Sequence, residues 1–273
     1  MSWTITGTQR YQPAALLDQF PGAAAAYSLR NLVGTSNPAV VRVRRDNDDT
    51  EADFTAAEVS DGTLAAWVGA GNNGFVRTWY DQSGNSRDVE QATTSSQPSI
   101  VSSGVVITDD TGKPSILYSN SFLQYTASMS LTQPLTLVSV SSANVSAVPA
   151  LSYITDNTSR LIFGTSTTAD KYGYYPGSTF ATAANNIDRN TSVLAFIRFS
   201  DSNSAMYIDS ALAATGGSGS AGIDTNFTIG KHFFATADNY WPGYIPELIV
   251  YATDKSADRD GIEANINAHY NIF

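Results

Sequence analysis

Apolar and polar positions alternate along most of this chain in short runs, the period-two pattern of strands that bury one face. In AVVRVRR, Val41 and Val43 fall on one side and Arg42 and Arg44 on the other. FVRTWYDQSGN continues as a strand running into a turn. Strict alternation there puts Phe75, Arg77 and Trp79 on one face and Val76, Thr78 and Tyr80 on the other. Further runs recur at sandwich-like spacing: PSILYS, LTLVSVSS, RLIFGTS, SVLAFIRFS, SAMYIDSALAA, FTIGKHFF and YIPELIVYA. Turn-forming residues separate several of them, at 110–113, 215–219 and Pro242-Gly243.

Helical signals are few. DGTLAAWVGAGNNG predicts a short helix stopped by its glycines. The tail TDKSADRDGIEANINAHYNIF predicts a longer one, with Ser256 as cap and Asp258 and Asp260 in the anion-favouring first turn. Ile262, Ile266 and Tyr270, spaced by four, form one apolar stripe to lay on a sheet. Residues 1–22, with Pro13 and Pro21, read as an N-terminal arm that packs on another surface. Residues 23–273 read as one all-β domain with a short C-terminal helix.

Charge removes whole classes of function. Of 273 residues only 15 % are charged, and the net charge of −10 argues against a phosphate-tracking surface, so no nucleic-acid partner is expected. Arg42, Arg44 and Arg45 are answered at once by Asp46, Asp48, Asp49 and Glu51. The opening MSWTITGTQRYQ lacks the charged and apolar regions of a signal peptide. No apolar run approaches the ~20 residues that span a bilayer, so no membrane partner is expected. With no cysteine there are no disulfides or thiol nucleophiles. Two histidines, His232 and His269, form no metal-binding motif. Asp46, Asp48 and Asp53 superficially suggest a calcium loop. Glu51 and Ala57 stand where such a loop wants Gly and Glu, so a solvated acidic turn is expected, with no metal and no cofactor. GAGNNG follows a helix and precedes a strand, the reverse of a phosphate-binding order, and reads as a turn.

TWYDQSGN (78–85) is the stretch richest in chemistry. Asp81 can accept backbone N–H groups of the Ser83-Gly84 turn, and Gly84 tolerates positive φ. The expectation is a structural corner, with a ligand-facing Asp81 or Gln82 as the alternative.

AAYSLRNL, AVVRVRRDND, LAAWVGAGNNGFVRTWYDQSGNSRDVEQA and GYIPELIVYATDKSADRDGIEANINAHYNIF together resemble two related groups. One is the catalytic domain of fungal α-L-arabinofuranosidase B. The other is a set of concanavalin A-like domains of tailed-phage virion proteins. The match is dense over residues 23–103 and moderate over 240–273. It implies a concanavalin A-like jelly-roll sandwich of two antiparallel sheets, with a concave face that holds sugars in relatives.

Retaining glycosidases use two carboxyl groups roughly 5 Å apart. The resemblance implies a mid-chain Glu as nucleophile and an Asp after an Ile-Gly-Gly segment as acid/base. No Glu occurs here between Glu90 and Glu247, and the late segment reads Ile229-Gly230-Lys231-His232. Asp238 is the nearest acid downstream. Asp201 and Asp209 could replace the nucleophile, but Asp209 in YIDSALAA reads as a turn former. The family's paired cysteines are also missing. A non-enzymatic protein is therefore expected.

Two loops cluster aromatics, KYGYYPGS and DNYWPGY. Tyr172, Tyr174, Tyr175, Tyr240 and Trp241 can stack on sugar rings, or they can close the sandwich ends and pack on a partner subunit. Tyr244 reads as core. The carbohydrate-binding candidates are Tyr174, Tyr175, Tyr240, Trp241 and Asp81, and no catalytic residue is expected. The resemblance then implies a structural protein of a tailed-phage particle: a head decoration, fibre or tail-attached domain assembled in the host cytoplasm. It would be a homo-oligomer, a trimer by preference, anchored to other virion proteins through its arm and contacting a host-surface glycan. A carbohydrate-binding module or host adhesin is the alternative, and an arabinofuranosidase-like hydrolase is the third.

Overall fold

The computed structural model describes residues 14–143, 152–155, 162–165, 171–184, 188, 190–231 and 240–273. Strands dominate, as the alternation predicted, and they form two antiparallel sheets face to face. The front sheet is centred on β19 (Gly243–Tyr251) and β10 (Leu135–Ala143). On the far side of β10 follow β15 (Val193–Phe199), β16 (Ala205–Ile208) and β17 (Ala211–Thr215). The outer edge of β19 is shared by β1 (Ala23–Ser28) and β8 (Ile116–Tyr118).

The back sheet begins with β3 (Glu51–Thr55), β2 (Ala39–Arg45), β4 (Gly74–Trp79) and β5 (Val89–Glu90). It continues through β9 (Leu123–Tyr125), β18 (Phe227–Ile229) and β11 (Ser152–Thr155). It ends with β12 (Ile162–Thr165), β13 (Tyr172–Tyr175) and β14 (Ala181–Thr182). β6 (Ser99–Ser102) pairs with both β4 and β8 and so stitches the sheets together, with β7 (Val105–Val106) as its hairpin partner.

Between the sheets lies the main core, which includes Tyr27, Val41, Val76, Trp79, Leu137, Ile197, Phe227 and Leu248. A second core fills the outer face of the front sheet. There Val138, Val140, Phe196 and Ile249 meet Ile262, Ile266 and Tyr270 of α4 (Arg259–Tyr270), the stripe read from its spacing. Ser256 does not cap α4. It lies in a preceding 3₁₀ turn, where the Asp254 carboxylate accepts its backbone N–H at 2.8 Å. The described part of the arm, residues 14–22, packs on the chain's own C-terminal helix: α1 (Leu16–Gln19) buries Leu16 there, and Asn265 Nδ2 donates to the Ala14 carbonyl. Residues 1–13 lie outside the described residues.

One face assignment needs correction. The β2–β4 register pairs Arg42 with Thr78 but Val43 with Val76, so Arg77 is a bulged extra residue. The bulge turns Trp79 to the same interior side as Val76, because one inserted residue flips every later side chain. The helical segment after β3 divides in two. α2 (Ala56–Ser60) is closed by a Thr55–Glu58 capping box, and α3 (Thr63–Val68) stops at Gly69, where φ is 87°.

Candidate functional site

The TWYDQSGN corner is built from hydrogen bonds that use up the polar groups of Asp81, Gln82 and Ser83. Asp81 Oδ1 accepts the backbone N–H groups of Ala26 (2.8 Å) and Ser83 (2.9 Å). Its Oδ2 accepts the Ser83 hydroxyl (2.8 Å) and the Arg87 N–H (3.0 Å). Gln82 is buried, accepting from Leu32 N–H and donating to the carbonyls of Ser28 and Arg30. Tyr80 points outward and donates to Asp53 at 2.8 Å, while Trp79 is buried inside. The lone pairs of Asp81, a sugar-contacting candidate in the sequence, tie β1 to the corner.

The acidic turn is similarly occupied. Asp46 accepts from Asn73, Asp48 from Arg45 and Asp53 from Arg42.

Of the aromatic candidates, Tyr240 and Trp241 gather with Tyr172 where β18 ends. The chain turns at Gly230, φ 92°, where a Cβ would sit 2.3 Å from the Tyr118 ring, so glycine is needed for that approach. Gly230 then accepts the Trp241 N–H at 2.8 Å. Lys231 and Tyr240 form a β-bridge, and the Lys231 ammonium lies 5.0 Å from the Phe122 ring centre and 5.1 Å from that of Tyr240. Beneath this rim, Tyr172 stands 6.4 Å from Trp241 and 5.8 Å from Phe163, ring centre to ring centre.

Trp241 and Tyr174, for which stacking on sugar and closing of the sandwich ends were the two alternatives, are both fully buried. Tyr174 is an interior ring whose hydroxyl donates to the Gly216 carbonyl at 2.6 Å. Tyr175 and Tyr240 are half-buried, and Tyr244, read as core, is also half-buried, on the stretch of β19 that precedes a bulge against β10. His232 and Asp238 lie outside the described residues.

Tyr172 also lines a cavity of about 400 Å³ together with Asp188, Thr191, Val193 and Asp209, a size ordinary for small-ligand sites. Asp209 does make the predicted turn: with φ 50° it closes the β16–β17 hairpin, and its Oδ1 accepts the Leu194 N–H at 2.8 Å. It does more than that. Burial raises its carboxyl pKa, the Leu194 hydrogen bond only partly opposing this. A carboxyl held toward its protonated form in a cavity can donate a proton, and a second carboxyl, that of Asp188, lines the same space. The sequence offered Asp209 only as a replacement nucleophile, and Asp188 not at all. Asp188 sits in the featureless polar run NNIDRN, and the turn chemistry of Asp209 masked its second face.

No family model and no curated protein matches this chain. Solved structures do. A GH54 α-L-arabinofuranosidase soaked with a cyclic sulfate inhibitor aligns at a TM-score of 0.69 with 16 % identity. An arabinofuranosidase complexed with arabinofuranosyl-α-1,2-xylobiose aligns at 0.68 with 16 % identity. A mutant GH54 enzyme soaked with 4-nitrophenyl α-L-arabinofuranoside aligns at 0.70 with 15 % identity. Each alignment covers 93 % of this chain and 64 % of the other, so the chain spans somewhat under two thirds of those enzymes. The concanavalin-like sandwich fold is therefore shared with glycoside hydrolases. The expectation of a non-enzymatic protein is overturned by these matches, whose shared fold is that of catalytically active hydrolases. Absence of the family's Glu at its usual place was too narrow a ground, since a sandwich can present carboxyl groups from several strand ends.

Proposed function

We propose that this chain is the sandwich domain of a glycoside hydrolase acting on arabinofuranosyl-bearing glycans, with the sugar held in the Tyr172 cavity. The observation that carries this reading is the placement of two carboxyl groups, Asp188 and Asp209, in one cavity beside a tyrosine. The fold shared with arabinofuranosidases supplies the substrate class. Asp209, with its raised pKa, takes the acid role, and Asp188 is the second carboxyl of the pair.

The test is release of nitrophenol from 4-nitrophenyl α-L-arabinofuranoside. Asp209→Asn keeps the hairpin, because Asn tolerates the left-handed region, and removes the titratable proton. A rate loss of about 10²-fold or more is expected, the size of general acid catalysis. Activity in the parent protein should fall as pH rises through the raised Asp209 pKa, since the acid must be protonated to act. Loss on Asp238→Asn alone would move the acid to that residue. No hydrolysis, together with no saturable binding of arabinoxylan oligosaccharides, would overturn the reading.

A second reading concerns place rather than chemistry. The resemblance of the TWYDQSGN corner to tailed-phage domains supports a virion-borne protein that meets host glycans, anchored through its N-terminal arm as a homo-oligomer. Mass spectrometry of purified particles tests it, and absence of the chain from them would refute it.

A further inference from the structure

A cleft lies away from the Tyr172 cavity, where five elements meet. The end of β1, the α2–α3 turn, the β6–β7 hairpin, the turn at 108–114 and the end of α4 enclose about 540 Å³. Its walls are largely apolar, with Leu29, Val59, Val105, Val106 and Pro114 among them, and Val105 is 68 % exposed at the rim. Its polar end holds Arg30, Lys113 and His269, and no acidic side chain lines it, although acids outnumber bases 25 to 15 in the chain.

Of the two cationic side chains that line the cleft, only Lys113 is not met by an acid. Arg30 is already neutralised: Nε and Nη2 donate to Glu247 at 2.7 and 2.8 Å, and Nη1 donates to Asn265. Asp109, on the turn that carries Lys113, accepts from Thr111 and from the Lys113 backbone. The Lys113 ammonium has no ion-pair partner among the described residues. Burial, with the nearby Arg30 and Lys113 charges, pushes the His269 pKa down to about 4, against the pull of Glu247, so the imidazole is neutral at pH 7 and can donate a hydrogen bond. A lone cation at the head of an apolar cleft is complementary to a single negative charge on an apolar body. Dianionic phosphate would leave a charge uncompensated, and a buried charge without a partner is costly.

We infer that the cleft between the β6–β7 hairpin and the end of α4 binds a medium-chain monocarboxylate, its head at Lys113 and His269 and its tail along Val59, Val105 and Pro114. This site is independent of the hydrolase reading and shares no residue with the Tyr172 cavity.

Isothermal titration of the full chain with sodium octanoate at pH 7 tests it, with sodium acetate and 1-octanol as the head-only and tail-only probes. Saturable 1:1 binding of octanoate is expected, with both controls at least about tenfold weaker. Lys113→Gln should weaken octanoate by a similar factor, about the 1.4 kcal/mol of a tenfold change. Val105→Asp, at an exposed position, should weaken it without lowering the melting temperature. Absence of saturation, equal binding of 1-octanol, or octanoate binding unchanged in Lys113→Gln would each overturn the assignment.

Discussion

The corner at 78–87 and the aromatic end around Gly230 are both dense in aromatic and polar residues, yet their physics differs. At the corner, Asp81, Gln82 and Ser83 spend their hydrogen bonds on backbone groups of β1 and of the corner itself. At the aromatic end, the buried Tyr118 and Ser142 hydroxyls have no partner among the described residues, whereas at the corner it is the Trp79 indole N–H, on the interior side, that lacks one. An unmet buried polar group costs about 1–3 kcal/mol, a burden that is tolerated where a ligand or water can meet it. Polar residues in a sequence motif are therefore poor guides to a site when the backbone already consumes them. The better guide is a polar group that the fold leaves unpaired, or a carboxyl whose burial changes its acidity.

This contrast can be broken by mutation. The largest effect is expected at Trp241, whose complete burial makes it the floor of the aromatic end. Trp241→Ala should cost about 3–5 kcal/mol, as large-to-small core changes do. Urea denaturation measures it, and a cost near zero would restore Trp241 to a ligand-contacting role.

Asp81→Ala is expected to come next, at about 1–3 kcal/mol, because it strands donors at Ala26, Ser83 and Arg87. Activity on aryl arabinofuranoside should be unchanged below the melting transition. A selective loss of activity in the folded variant would show that the corner does contact substrate.

Tyr240→Ala should be the mildest, within about 0.5 kcal/mol in stability, since Tyr240 is half-buried at the rim. It removes a ring beside the Lys231 ammonium. Weakened oligosaccharide binding with stability intact would sharpen the difference between the two regions. Unchanged binding would make the rim as structural as the corner.

The chain's local chemistry was legible before any coordinates. Alternation in AVVRVRR located β2, the fourfold spacing of Ile262, Ile266 and Tyr270 located the buried face of α4, and the Asp81-Gln82-Ser83-Gly84 run described its own turn. Each depends on residues a few positions apart, so period and side-chain reach suffice. Tertiary structure alone decided the rest. The bulge at Arg77 reversed the side on which Trp79 packs, because register is set against β2 and not within β4. Sheet-on-sheet packing buried Tyr174 and Trp241, which by composition alone could equally have faced solvent. Asp188 and Asp209 line one cavity, and Lys113 and His269 another, only because distant strand ends, turns and the last turn of α4 converge. Burial then fixes the acidity of Asp209 and His269, and burial is a property of neighbours that no single stretch of sequence contains.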